Sequence, residues 1–243
     1  MSQDNSLDKV KQLREITGVG FKDCKNAIDE TKGDIDKAID LLRKKGIAKA
    51  NKRMTKVAAE GLVCIFEKDN NFSMIEINSE TDFVAKNKDF INFGKEVSDL
   101  SLSKLGKIED LLNTKMKNDK TVNDNLIDLV SKIGEKITLR RSAFVGNNKT
   151  VNFSYVHSSI EKNIGKLGVL LSLKTTKNKK DLIALGKELS MHIAASSPLA
   201  LDKENLDKNT IDKEQEIIKD ELKNSGKDNN IIEKIAKGKI NKF

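Results

Sequence analysis

The chain changes its hydrophobic period at Gly61, and that change constrains the fold more than any other feature. Before it, apolar residues step by three and four, as on one face of a helix. After it, Leu62-Val63-Cys64-Ile65-Phe66 is an unbroken apolar run and Phe72-Ser73-Met74-Ile75-Glu76-Ile77 alternates. Lys68-Asp69-Asn70-Asn71 between them supplies turn chemistry, so the pair reads as a β-hairpin. A helical pattern from about Thr81 to Leu100 should pack across it. Helices first, then strands with a covering helix, make an α+β protein.

The strand-to-helix junction is Ile77-Asn78-Ser79-Glu80-Thr81-Asp82-Phe83-Val84-Ala85-Lys86. Ser79 or Thr81 can accept from the free N–H groups of a first helical turn, and Ser79 with Asp82 approximates a capping box. Adjacent acids such as Glu80 and Asp82 at a helix start usually serve its dipole. Phe83 falls on one helical face with Phe90, Gly94 and Val97. Two readings of it stand: the first core residue of the helix, or an aromatic wedge presented outward.

Upstream, residues 1–46 form a three-helix unit. Val10, Leu13 and Ile16 mark the first helix, which Thr17-Gly18-Val19-Gly20 ends. Cys24, Ala27 and Ile28 face inward from a second helix stopped by Gly33. Asp34 is a good N-cap for a third, with Ile35, Ala38, Ile39 and Leu42 on its stripe and Gly46 closing it. So small a core suits a docking module. Residues 47–60 read as a linker with some helical tendency. Its basic cluster, Lys49, Lys52, Arg53 and Lys56, reads as a solvated face or a nucleic-acid contact.

Downstream, two sheet-plus-helix lobes are expected, over 61–139 and 140–200. The first ends in a helix with Val122, Leu126, Leu129, Val130, Ile133 and Ile137 in phase. The second has strands at Val151–His157 and Gly168–Leu173, then a helix with Leu182, Leu185, Leu189 and Ile193 on one face. Ile91-Asn92-Phe93-Gly94-Lys95-Glu96-Val97-Ser98 is echoed by Ile183-Ala184-Leu185-Gly186-Lys187-Glu188-Leu189-Ser190. Glycine on the inner face would let each helix approach its sheet closely. Residues 201–243 read as a charged helical hairpin with coiled-coil-like spacing at Ile211, Gln215, Ile218 and Leu222. A stripe so narrow suits a partner or dimer contact.

Composition excludes several classes. No apolar run approaches the roughly 20 residues that span a bilayer. The start, Met1-Ser2-Gln3-Asp4-Asn5, has neither a basic nor an apolar signal region, so a cytoplasmic location and no membrane partner are expected. Cys24 and Cys64 are expected as buried reduced thiols. With only 2 histidines and no Cys-x-x-Cys, no metal site or cofactor is expected. There is no glycine-rich phosphate loop and no nucleophile–base constellation, so no enzyme activity is expected. His192, on an apolar helix, reads as structural; His157, ending a strand, reads as a surface or partner-facing residue. The net charge of +8 is spread as lysines among acids. A solvated surface, an acidic protein partner and an RNA are each compatible with it.

Several segments then match one family in order. Val10-Lys11-Gln12-Leu13-Arg14-Glu15-Ile16-Thr17-Gly18-Val19-Gly20, with Asp23-Cys24-Lys25 and Gly33-Asp34, resembles the amino-terminal domain of elongation factor Ts. Thr81-Asp82-Phe83-Val84-Ala85-Lys86 resembles its most diagnostic stretch. Gly134-Glu135-Lys136 with Arg140-Arg141, Ser154-Tyr155-Val156-His157 and Met191-His192-Ile193-Ala194-Ala195-Ser196-Ser197-Pro198 also fit. The resemblance implies a nucleotide-exchange factor that binds elongation factor Tu carrying GDP and promotes GDP release, so that GTP can rebind. It implies a ubiquitin-associated-like three-helix domain, then a two-lobed core with a coiled-coil element. It implies that Thr81, Asp82, Phe83 and Val84 disturb the magnesium site of the GTPase, with the Phe83 ring between partner helices. It implies docking roles for Arg14, at the nucleotide domain, and for His157, at the third domain. No direct nucleic-acid contact is expected; a homodimer or a 2:2 complex is compatible. Other members similar to this continue past the position of Phe243 into a further module, so either the sequence is cut short there or this member lacks that contact. The competing reading is a basic RNA-binding protein, which predicts steeply salt-dependent binding.

Overall fold

The computed structural model describes residues 2–53, 55–147, 149–223 and 229–240. They fall into two units, Met1–Ala195 and Ser196–Phe243.

In the first unit, α1 (Ser2–Thr17), α2 (Phe21–Glu30) and α3 (Ile35–Arg53) enclose Val10, Leu13, Val19, Cys24, Ala27, Ile28, Ala38 and Leu42. Asp34 caps α3 as expected, its carboxylate accepting from Lys37 N at 3.0 Å. Gly46 does not close that helix. α3 runs on to Arg53, taking in the first half of the expected linker. The glycine serves a close approach instead: a Cβ there would lie 2.9 Å from Ser131 Oγ. The side chains of Lys49, Lys52 and Arg53 lie outside the described residues, and Lys56 is exposed.

β1 (Glu60–Lys68) and β2 (Asn71–Ser79) form the expected hairpin, with Lys68 opposite Asn71. Asp69 and Asn70 both take positive φ, 50° and 65°, which matches the right-handed twist of the strands. β3 (Ile137–Val145) pairs with β2; β4 (Thr150–Glu161) and β5 (Ile164–Lys174) form a second hairpin. The strands of both expected lobes join one antiparallel sheet, in the order β3-β2-β1-β5-β4. The seam between β1 and β5 is short: Val63 faces Gly165 and Cys64 faces Ile164.

The expected lobe boundary at 139/140 falls inside β3. Arg140 and Arg141, next to that boundary, are strand residues that reach across to Glu76, with Arg140 Nη1 2.8 Å from its carboxylate. Burial would raise the pKa of Glu76, but the hydrogen bonds from Arg140, Arg141 and Asn78 outweigh it and hold the carboxyl below its ordinary value.

α4 (Lys88–Ser103) crosses β1 and β2, burying Phe90, Ile91, Phe93, Gly94 and Val97. α5 (Ile108–Leu112) and α6 (Val122–Ile133) complete that core with Leu111, Val122, Leu129 and Val130. α7 (Ile183–Ser196) lies against the other hairpin. The paired glycines do what the echo suggested. A Cβ on Gly94 would sit 2.6 Å from Cys64 Sγ, and one on Gly186 would sit 2.5 Å from the Phe153 ring. The inner face of α7 is rotated from the expected stripe. Leu182 just before the helix, Gly186 and Ser190 are buried, whereas Leu185 is exposed, because the glycine must face the Phe153 ring. His192 is likewise on the outside of α7, not structural interior.

α6 ties the three-helix segment to the sheet layer. Ser131 backs Gly46 of α3, Arg43 Nη2 bonds Asp124 at 3.0 Å, and Lys132 pairs with Asp89 of α4 at 2.8 Å. The close helix packing outweighs the exposed ion pairs, each of which contributes about 0–1 kcal/mol.

In the second unit, α8 (Lys208–Lys223) and α9 (Asn229–Ile240) pack together, with Ile218, Ile232 and Ala236 buried. Lys239 Nζ lies 2.9 Å from Glu221. Among the described residues, no helix is long and apolar enough to cross a membrane.

Candidate functional site

β2 delivers the chain to Ser79, after which eight residues pass before α4 begins. Neither Ser79 nor Thr81 caps that helix. Asn87 does, in extended conformation, accepting from Asp89 N at 2.8 Å and Phe90 N at 3.3 Å. Between Ser79 and Asn87 lies a turn ending in a single turn of 3₁₀ helix, Val84–Lys86. The interruption destroys the helical phase between Phe83 and Phe90, so Phe83 does not inherit the inward face.

The turn is divided by burial. Val84 and Ala85 are 5% and 1% exposed and belong to the core below the sheet. Phe83 is 76% exposed. Asp82 is exposed beside it, 3.9 Å from Lys86 Nζ. A phenyl ring left in water forgoes roughly 1.5–3 kcal/mol of burial, which the chain bears at a turn that is otherwise well fixed.

Hydrogen bonds do the fixing. Ser79 Oγ donates to Thr81 O at 2.9 Å. Thr81 donates twice to one carboxylate, from its N–H to Glu135 Oε2 at 2.9 Å and from its hydroxyl to Glu135 Oε1 at 2.7 Å. In return, Lys136 N donates to Glu80 Oε1 at 2.6 Å. Glu135 and Lys136 follow Gly134, which ends α6 at φ 84°, ψ 12°, a conformation that strongly favours glycine. Thr81, Glu80, Glu135 and Lys136 are all half-buried.

The other expected residues sit elsewhere. Arg14 is exposed in the last turn of α1, its carbonyl accepting from Gly18 N at 2.8 Å. Exposed apolar side chains flank the same α1–α2 corner: Ile16 and Phe21. His157 is exposed on β4, with its Nδ1 3.0 Å from the Tyr155 hydroxyl. Thr81, Asp82, Phe83 and Val84 are therefore one turn, while Arg14 and His157 stand on separate elements. The part of Glu135 in holding Thr81 is not assigned by sequence reasoning. The Gly134-Glu135 pair after a helical run was a signal of a cap, but not of what the carboxylate reaches. Among the described residues, no cluster of three His, Cys, Asp or Glu side chains could hold a metal ion.

The fold and site define an α+β protein whose sheet layer holds one aromatic ring outward on a braced turn. A family model described as Elongation factor TS matches residues 80–243, starting at that turn. The chain is 44% identical to elongation factor Ts of Bartonella tribocorum over 236 residues, 97% of this chain and 77% of the relative. It is 42% identical to that of Methylobacterium sp. (strain 4-46), over 96% of this chain and 76% of the relative. With that of Maricaulis maris it shares 40% identity, again over 96% and 76%. The chain belongs to the elongation factor Ts family, a family of translation elongation factors.

Proposed function

We propose that this protein is a guanine-nucleotide exchange factor that binds elongation factor Tu in its GDP form and speeds release of the nucleotide. The observation that carries the reading is the 76% exposure of Phe83 on a fixed turn, in a chain of this family. The ring enters the GTPase between its helices and displaces residues that support its Mg²⁺. That ion demands near-ideal octahedral geometry at about 2.1 Å, so small displacements weaken nucleotide binding disproportionately. Burial of the ring contributes roughly 1.5–3 kcal/mol, gained only when the partner opens a slot. Arg14 docks the three-helix segment and His157 docks the second hairpin, supplying the remaining binding energy. The coupling is reciprocal: a factor that loosens GDP is itself loosened by nucleotide. No covalent step is needed.

Stopped-flow release of a fluorescent GDP from the partner tests the wedge. Phe83→Ala should fold normally and lower the maximal release rate by roughly ten-fold or more, as the burial term above implies. An unchanged rate would remove Phe83 from the mechanism.

A further inference from the structure

A wedge acts best if its posture is set before the partner arrives, because ordering it during association subtracts from the binding free energy. Resting on the exchange-factor reading above, we infer that Glu135 is the positioning residue for the Phe83 turn: its carboxylate, on the turn that ends α6, grips Thr81 and so fixes the direction in which Phe83 leaves the fold.

Both oxygens of Glu135 are used on one residue, Thr81, 54 positions away in sequence. The bond from Lys136 N to Glu80 closes the contact from the other side. All three bonds have a carboxylate acceptor, and such charge-assisted bonds are roughly twice as strong as neutral ones. Half-burial of the four residues limits the competition from water. On the far side of Phe83, Val84 and Ala85 are sunk in the core. The chain is therefore pinned at Thr81 and again at Val84, and only Asp82 and Phe83 face outward between the pins.

The base of the grip is itself anchored. Gly134 turns the backbone so that Glu135 follows directly on the end of α6. α6 in turn contacts α3 through Ser131 and Gly46, and α4 through Lys132 and Asp89. The helix that receives the amino-terminal segment thus also leads directly into the residue that sets the wedge.

The test uses the full chain and two readouts. In the free protein, Glu135→Ala should raise amide hydrogen exchange at Thr81 by roughly ten-fold or more, the loss expected for bonds to a charged group, while α6 amides keep their protection. In GDP release, Glu135→Ala should lower the maximal rate and leave the half-saturating concentration unchanged. Glu135→Gln should restore most of the rate, since its amide oxygen still accepts from Thr81 N–H and its NH₂ can donate to the Thr81 hydroxyl. If Glu135→Ala folds poorly, Thr81→Val removes the hydroxyl bond alone and should show the same direction of change. Unchanged Thr81 exchange, or a wild-type maximal rate in Glu135→Ala alongside a slowed Phe83→Ala, overturns the grip and spares the wedge. A wild-type rate in Phe83→Ala itself overturns both.

Discussion

Phe83 and Phe90 are seven residues apart, two helical turns, yet the first is 76% exposed and the second 1%. Periodicity would place them together; the Asn87 cap between them resets the phase. Side chains of one type can thus differ wholly in role through one intervening cap. The cysteines show the opposite case, where burial makes a reactive group inert. Burial pushes the Cys64 thiol up to about 12, with the charge of Lys95 acting the other way. Burial also raises Cys24, against a hydrogen bond with Thr17 that lowers it. Since the thiolate is the nucleophile, neither cysteine should react with a thiol reagent at pH 8 in the folded protein, and both should react in denaturant. Rapid labelling of Cys64 in the native state would contradict its place under α4.

Helices α4 and α7 each descend on the sheet at a glycine. The physical reason is the same in both: the side chain opposite occupies the space a Cβ would need. For Gly94 the neighbour is Cys64 Sγ, itself buried, with Ile77 Cδ1 at 3.2 Å. Alanine is the better helix former by about 0.8–1.0 kcal/mol. Overpacking a core costs about 1–3 kcal/mol, and a contact at 2.6 Å with an enclosed sulfur belongs to the upper part of that range. Gly94→Ala should therefore be net destabilising by about 1–2 kcal/mol, seen as a lower midpoint in denaturant unfolding. An unchanged or higher midpoint would mean that α4 can ride outward at no cost.

Across the sheet as a whole, Glu76 of β2 gathers both arginines of the edge strand β3. Its folded pKa lies below the unfolded one. A carboxyl shifted this way contributes stability that is fully present above the unfolded value and is lost as pH falls through the folded value. Acid should thus loosen the pairing of β3 with β2. Melting temperature followed from neutral pH into the acid range should fall less steeply for Glu76→Gln than for the native chain, with the two curves converging at the acid end. Parallel curves would assign the acid sensitivity to other groups.

The three helices, the first hairpin with its Asp69-Asn70 turn, the covering helix and the two sheet-facing glycines were readable from the chain, because each is written in local period and turn chemistry. The family was readable from the segments around Arg14, Phe83 and His157. Other features depended on partners far away in sequence. Gly46 looked like a helix stop and became a packing position only because Ser131 stands behind it. The lobe boundary expected before Arg140 disappears only because β3 pairs with β2 on both sides of it, Arg141 facing Glu76. The outward course of Phe83 likewise follows from a carboxylate 54 residues from Thr81 and from the two core residues after the ring. Local pattern determines which elements can form. Which face they show, and which side chain is left in water, is decided by long-range contacts that no short window of sequence contains.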